Sequence, residues 1–549
     1  MAHAYRGKMI SLVVAGLMLS AFFIEGNHKK VNAVADAIKT NIVVILMDDL
    51  DKVITEPYFK DVLPHMSALN SEGIYFENAF APTALCCPAR ASILTGKYAH
   101  NTGVLGNQGE NGGYQAFRDK KNEERTIAVA LHESGYITAS FGKYLNGYAE
   151  RNLLPPQVPP GWSIWSDFAE GAYYSGYNYG ILEFAEGASS QNVKKYGHQE
   201  NDYSTDVLTR KSIEFIASQS SQQKHPFFIY LAPTAPHSPM SAAPRHQELA
   251  KKWKNYLPID RPNYFSDGDT VLDKPYWLRK GWDSRNMLQS KVQEFWFNRM
   301  GSLYAMNEMI GSIVRQLKEQ NLWDHTLLIV TSDNGFALGA HRLLGKKVPY
   351  EESIRVPLIV AGGKHVPIRK GKIEKRAVLH CDFAPTLLDI AGVPIPEEMD
   401  GRSFLPILHE DSDKEPWRKD FLIQFGGDRL ENNFLASSEL LADDDDVFVN
   451  PLRAADLIVP PYRGLRGAAE WVQGDPSSER QVSYVEWFDE RVKNRAGEVI
   501  TEYELYDLDH DPYQLDNLLY SHPEKYRSLR QRLHQRLEVL KNCTGRACR

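Results

Sequence analysis

The sequence predicts an α/β protein built on a central, mostly parallel sheet flanked by helices, with a smaller C-terminal α+β domain. Three observations carry this. Short runs rich in Val, Ile and Leu recur at residues 42–47, 137–141, 227–231, 327–331 and 357–361, as expected of strands buried on both faces. Helical patterns lie between them, clearest where Leu303, Met306, Ile310, Ile313, Val314 and Leu317 share one face just before the 327–331 run. Strands alternating with helices are joined by crossovers, and crossovers make parallel sheets.

The elements follow in chain order. The chain opens with Arg6 and Lys8, an apolar run over 9–24 and the small-residue site Ala33-Val34-Ala35, so residues 1–35 read as a secretory signal, with an uncleaved anchor as the alternative. The run is short for a membrane span and no other segment is apolar enough, so no stable span is expected after cleavage. The protein is expected to be secreted or otherwise extracytoplasmic: periplasmic, extracellular or lysosome-like. Residues 36–408 form the α/β domain. Residues 409–549 hold strand-like pieces at 421–425, 482–487 and 504–508, then a helix after Ser521 and Pro523 with Tyr526, Leu529, Leu533, Leu537 and Leu540 on one side. The acidic run at 443–446 reads as a solvated loop.

Charge and cysteine usage narrow the function. Lys and Arg total 63 against 70 Asp and Glu, a net charge of -7, so no global basic field draws the protein onto nucleic acid or an anionic membrane. An anionic ligand needs a local pocket. Five cysteines cannot scaffold 549 residues. Cys543 and Cys548 are close enough to pair in an oxidising compartment, Asn542-Cys543-Thr544 matches a glycosylation acceptor, and the odd count leaves a thiol to explain.

In open α/β sheets ligands bind beyond the carboxyl ends of strands, and four apolar runs end in reactive residues. The first ends in Asp48-Asp49, and the 327–331 run ends in Ser332-Asp333-Asn334-Gly335; together they offer an all-oxygen set suited to Ca²⁺ or Mg²⁺. The 227–231 run leads to His237 between Pro236 and Pro239, a general acid or a substrate hydrogen-bond donor. Lys143 follows the 137–141 run and places positive charge at the ligand edge. In Ala84-Leu85-Cys86-Cys87-Pro88-Ala89-Arg90-Ala91-Ser92-Ile93-Leu94-Thr95-Gly96, Pro88 suits a first helical turn and Gly96 an end, so both cysteines sit at a helix N-terminus that favours anions and depresses thiol pKa. A reactive cysteine, a vicinal disulfide and two buried structural thiols all fit.

This segment resembles the signature of the type I sulfatases, Cys-x-Pro-Ser/Ala-Arg followed by a Leu-Thr-Gly turn. The resemblance extends to Asp48-Asp49, Gly135-Tyr136 through Lys143, Pro236-His237, Asp333-Asn334-Gly335, Gly345-Lys346 and residues 504–508. Gly96-Lys97-Tyr98-Ala99-His100-Asn101 and Gly142-Lys143-Tyr144-Leu145-Asn146 look closest to the N-acetylglucosamine-6-sulfatase and extracellular endosulfatase branch, whose substrates are glycosaminoglycan sugars. The resemblance implies an alkaline-phosphatase-like fold and a sulfuric ester hydrolase acting on a sulfated carbohydrate or an aryl sulfate. It implies that a maturation enzyme converts Cys86 to formylglycine, with Ala89 where many members have serine. It also implies one Ca²⁺ held by Asp48, Asp49, the modified Cys86, Asp333 and Asn334. Arg90 would orient the aldehyde hydrate that attacks sulfur, Lys143 and Lys346 would bind sulfate oxygens, and His237 would protonate the leaving alcohol. The family's base after the Lys143 position is replaced by Leu145, which leaves Asn146 or His100 for sulfate elimination. The competing readings are a phosphonate or phosphodiester hydrolase on the same scaffold and a non-catalytic binding protein.

Overall fold

The computed structural model describes residues 39–148, 157–188, 190–219, 225–257, 261–264, 272–280, 289–409, 416–426 and 459–549. The signal segment 1–35 and the acidic run 443–446 lie outside them. Residues 40–549 make one compact unit.

A ten-stranded sheet runs through it in the order Lys372–Glu374, Gly73–Phe76, Leu358–Gly362, Thr326–Ser332, Asn41–Met47, Phe227–Ala232, Ile137–Gly142, Ile164–Gly171, Tyr179–Ala185 and Asn192–Tyr196. From Thr326–Ser332 through Ile164–Gly171 neighbouring strands are parallel, with Val44 opposite Ile329 on one side and Tyr230 on the other. The alternation of side chains explains why these runs are apolar throughout. Val43, Ile45 and Met47 enter a core with Leu303, Met306, Ile310 and Ile313 of helix Gln289–Glu319. Ile42, Val44 and Leu46 enter the opposite core with Ala91 and Leu94 of helix Cys86–Thr95 and Leu387 of helix Phe383–Ile390.

One expected strand runs the other way. The 357–361 run, read as part of the parallel set, is antiparallel to Thr326–Ser332 in strand Leu358–Gly362, with Ile359 opposite Val330. No helix as long as a crossover connects the two among the described residues, only the four-residue helix Glu351–Ile354.

The C-terminal region is a four-stranded antiparallel sheet in the order Asp420–Phe425, Tyr462–Glu470, Glu479–Trp487 and Glu502–Asp507. Three of these strands were legible; Tyr462–Glu470 was not, because Gly464, Gly467 and two arginines interrupt any apolar pattern. Helix Arg527–Leu540 buries Leu529, Leu533, Leu537 and Leu540 in one apolar cluster with Leu422, Leu465 and Tyr484. That cluster also includes Ala84 and Leu85, so the C-terminal sheet buttresses the segment that leads into Cys86. The expected pairing of Cys543 with Cys548 is present as a disulfide.

Candidate active site

Strand ends deliver the polar residues, and short backbone links hold them in register. Asp48 N–H donates to the Ala235 carbonyl (3.2 Å) and Asp333 N–H to the Met47 carbonyl (3.1 Å), which ties three strand ends together. Asp49 N–H donates to Asp333 Oδ1 (3.2 Å). Asp49 has a left-handed backbone (φ 66°), which an aspartate tolerates better than most residues. Arg299, from the long helix, holds that conformation by donating Nη1–H to the Asp49 carbonyl at 2.6 Å. Lys143 follows Gly142, whose φ of +116° and close approach to the Ala232 carbonyl leave no room for a Cβ. Lys346 leaves a small hairpin, Ala337–Leu338 with Leu344–Gly345, and Lys347 N–H donates to the Ala84 carbonyl (3.0 Å), which brings Lys346 beside Cys86.

Cys86 opens helix Cys86–Thr95, which ends at Gly96 with φ 71° as its sequence predicts. Leu85 supplies no side-chain cap; Asn107 does so instead, its Oδ1 accepting from Cys87 N–H at 2.9 Å. One turn on, Arg90 is completely buried and fans out, with Nε donating to Asp333 Oδ2 (2.8 Å), Nη1 to the Lys143 carbonyl (2.8 Å) and Nη2 lying 3.5 Å from Asp48 Oδ2. Lys143 Nζ donates to Asp48 Oδ2 (2.6 Å), and Lys346 Nζ donates to Asp49 Oδ1 (2.6 Å) and to Cys86 Sγ (2.8 Å). The Cys86 thiol donates to Asp48 Oδ1 at 3.3 Å. His237 donates Nδ1–H to the Ser238 carbonyl, and its Nε2 faces Asp49 Oδ2 at 3.5 Å. That bond fixes the tautomer and turns Nε2 toward the cluster.

Nine of the ten expected residues therefore converge: Asp48, Asp49, Cys86, Arg90, Lys143, His237, Asp333, Asn334 and Lys346. Ligand atoms of Asp48, Asp49, Cys86 and His237 lie within 4.8 Å of one another. Asn334 Nδ2 donates to Asp49 Oδ1 (2.6 Å), while its Oδ1 is buried with no hydrogen-bond partner, an acceptor turned into an acidic cluster. His100 is placed elsewhere. Helix Cys86–Thr95 is about 15 Å long at 1.5 Å per residue, and His100 follows its far end. Its Nε2 bonds the Cys543 carbonyl (3.0 Å), its Nδ1 accepts from Gln424 (3.1 Å), and its ring stacks on Tyr98. Both ring nitrogens are thus spent on the fold, and the expectation that His100 serves the reaction gives way to a structural part.

Electrostatics correct a second expectation. Cys86 sits at a helix N-terminus, yet burial foremost, then the Asp48 charge, pushes its thiol well above the ordinary value despite Lys143 and Lys346. Burial likewise raises Cys87, to about 12. Both cysteines are free, so the vicinal disulfide is also set aside. Burial opposes ionisation of Asp48, but Lys143, His237, Arg90 and Lys346 outweigh it and hold that carboxyl well below the carboxylate range. Asp333 is raised by burial and by the neighbouring Asp48 charge.

Arg299, Asn107 and Tyr174 escaped the sequence reading. None follows an apolar run directly, and Arg299 reaches the site across 250 residues of chain.

A buried acidic cluster at the carboxyl ends of parallel strands, faced by fixed cations, suits hydrolysis of an anionic ester. The family model described as Sulfatase matches residues 40–393, and the chain belongs to that family, as a type I sulfatase and a sulfuric ester hydrolase. It is 32% identical to the N-acetylglucosamine-6-sulfatase of Capra hircus over 93% of this chain and 85% of that protein. It is 31% identical to the extracellular sulfatase SULF-1 homolog of Drosophila melanogaster over 79% of this chain, though over only 39% of that longer protein. A solved structure of a protein in complex with its substrate D-glucosamine-2-N,6-O-disulfate shares the fold, with a TM-score of 0.66 at 23% identity, covering 91% of this chain and 97% of the other.

Proposed function

We propose that this sulfatase releases sulfate from 6-O-sulfated glucosamine-type sugars, with Cys86 converted to formylglycine and Ca²⁺ held by Asp48, Asp49, Asp333, Asn334 and the converted residue. One observation carries the reading. Cys86 Sγ lies 3.3 Å from Asp48 Oδ1, and it is the one sulfur in a proposed ligand set otherwise made of the carboxylate oxygens of Asp48, Asp49 and Asp333 and the amide oxygen of Asn334. A hard divalent cation prefers oxygen to sulfur, so the set becomes uniform when the sulfur is replaced by oxygen. The raised thiol pKa argues the same way, since an unmodified Cys86 is a poor nucleophile. The unpartnered Asn334 Oδ1 fits a further ligand. When bound, the ion supplies Lewis-acid polarisation and orients the nucleophile.

The remaining steps belong to side chains. Arg90 anchors the carboxylates and the Lys143 backbone, so the strand ends keep their spacing. Lys143 and Lys346 are long enough to exchange their carboxylates for sulfate oxygens and stabilise charge as the S–O bond breaks. His237, anchored by Nδ1–H to the Ser238 carbonyl, would act in its doubly protonated form, passing the proton on Nε2 to the departing alcohol oxygen and returning to the neutral Nδ1–H ring. Three carboxylates stand against Arg90, Lys143 and Lys346. A divalent ion therefore leaves the site net positive for an anionic ester. The glucosamine 6-sulfate preference is supported by the goat relative, an N-acetylglucosamine-6-sulfatase, and an extracytoplasmic location by the fruit-fly extracellular sulfatase; no helix among the described residues is long and apolar enough to cross a membrane.

The test is mass spectrometry of the peptide spanning Cys86, made in a host with the maturation machinery, together with sulfate release from N-acetylglucosamine 6-sulfate, its positional isomers and an aryl sulfate. Conversion at Cys86 and preference for the 6-sulfate are expected. An unmodified thiol throughout, or stronger turnover of a matched phosphodiester, overturns the reading.

A further inference from the structure

The parallel set has a fifth carboxyl end. Strand Ile164–Gly171 lies beside Ile137–Gly142, and the turn that follows, Tyr173–Ser175, brings two tyrosines to the same edge of the sheet as Lys143 and His237. A column of rings runs from the core to the histidine. Buried Phe168 stacks on Tyr173 with centroids 5.1 Å apart and planes at 12°. Tyr173 lies 4.5 Å from Tyr174, and Tyr174 lies 4.4 Å from the His237 imidazole at 31°. Lys143 Nζ sits 4.9 Å from the centre of the Tyr174 ring, and Asn146 Nδ2 donates to its hydroxyl at 3.3 Å. Thr234, three residues before His237, donates to the Tyr173 carbonyl at 3.3 Å, which links the two loops.

The Nδ1–H bond to Ser238 and the Asp49 carboxylate 3.5 Å from Nε2 hold the imidazole at its edges, and the Tyr174 ring lies against its face. The same ring places its negative face toward the Lys143 ammonium. We propose that Tyr174 is a positioning residue: its ring fixes the plane of His237, and hence the direction of Nε2, on the side of the site where the alcohol leaves. The inference rests on the sulfatase reading above for the role of His237. It predicts that Tyr174 matters most where proton delivery matters most, for alkyl sulfates such as sugars, and least for aryl sulfates whose phenolate leaves unaided.

The experiment compares wild type, Tyr174→Phe and Tyr174→Leu on N-acetylglucosamine 6-sulfate and 4-nitrophenyl sulfate, with a crystal structure of Tyr174→Leu. A misaligned donor costs up to about 100-fold, so Tyr174→Leu is expected to lose about 10-fold to 100-fold in kcat on the sugar sulfate, with little change on the aryl sulfate. Tyr174→Phe keeps the ring and is expected to behave as wild type on both. In the crystal structure the His237 ring is expected to rotate away from its present plane. Equal losses on both substrates, a Phe variant as impaired as Leu, or an unmoved His237 overturns the proposal. A wild type that hydrolyses neither substrate defeats the sulfatase reading instead, and the orientation of His237 in the crystal structure then decides the positioning by itself.

Discussion

Two buried regions of this molecule use burial in opposite ways. Around Cys86 the buried groups are charged, and each carboxylate is matched by a cation from a different part of the chain: Asp48 by Lys143, Asp49 by Lys346, Asp333 by Arg90 of helix Cys86–Thr95. Around helix Arg527–Leu540 the buried apolar groups are leucines, and a fully buried carboxyl of the adjoining sheet, Glu504, accepts from neutral donors, Trp487 Nε1 (2.7 Å) and the hydroxyls of Tyr350 and Tyr506. Burial raises the Glu504 pKa, the reverse of the outcome at Asp48. Desolvation acts on both carboxyls; at Asp48 the charges of Lys143, His237, Arg90 and Lys346 outweigh it, and at Glu504 Lys274 and the neutral donors do not. Charge is kept where chemistry needs it, and apolar packing where the fold needs support.

The comparison is sharpest at Cys86. Replacing it with Ala removes the nucleophile and is expected to lower kcat by about 10⁴-fold to 10⁶-fold while leaving the melting temperature nearly unchanged; turnover within tenfold of wild type would erase the distinction. Lys346→Met removes the cation beside Asp49 and a donor to the substrate, and a loss of about 10²-fold to 10³-fold in kcat is expected, read in steady-state assays at saturating substrate. On the other side of the comparison, Leu533→Ala should destabilise by about 2–5 kcal/mol in denaturant titration, with kcat of the folded fraction intact; a comparable fall in kcat would show that the two regions are not separable.

The smallest effect concerns His380, which bridges the regions by donating Nε2–H to the Ser332 carbonyl at 3.1 Å, one residue before Asp333. Burial pushes its pKa down to about 3, so it stays neutral in the fold while the unfolded chain takes up a proton below about 6.5. The unfolded state then binds more protons, and stability is lost as pH falls from about 6.5 toward 3. His380→Gln should flatten that part of the profile relative to wild type, as followed by denaturant midpoints at several pH values.

The strand ends were legible because apolar runs have sharp borders and chemistry begins at the next residue, as at Asp48, Lys143 and Asp333. Strand direction was not legible: the 357–361 run is as apolar as its parallel neighbours, and only the connection before it decides that it runs antiparallel. The Tyr462–Glu470 strand was hidden by its glycines and arginines. His100 shows the limit of motif position, since a histidine at a family position was drawn instead to the carbonyl of Cys543. Arg299 and Tyr174 could not be found from local pattern at all, because a hydrogen bond to a distant carbonyl and a ring column exist only once the sheet has formed.

Cys86 has no accessible surface, and Asp48 and Lys346 meet its sulfur from two distant parts of the chain. Under the proposed conversion, a second protein would have to meet this thiol before strands Asn41–Met47 and Thr326–Ser332 come together. Maturation is then a race against folding: variants that fold faster through this region shorten the time in which conversion can happen, and slower ones extend it. Two preparations of identical sequence and equal stability can therefore differ in specific activity according to how quickly their chains closed.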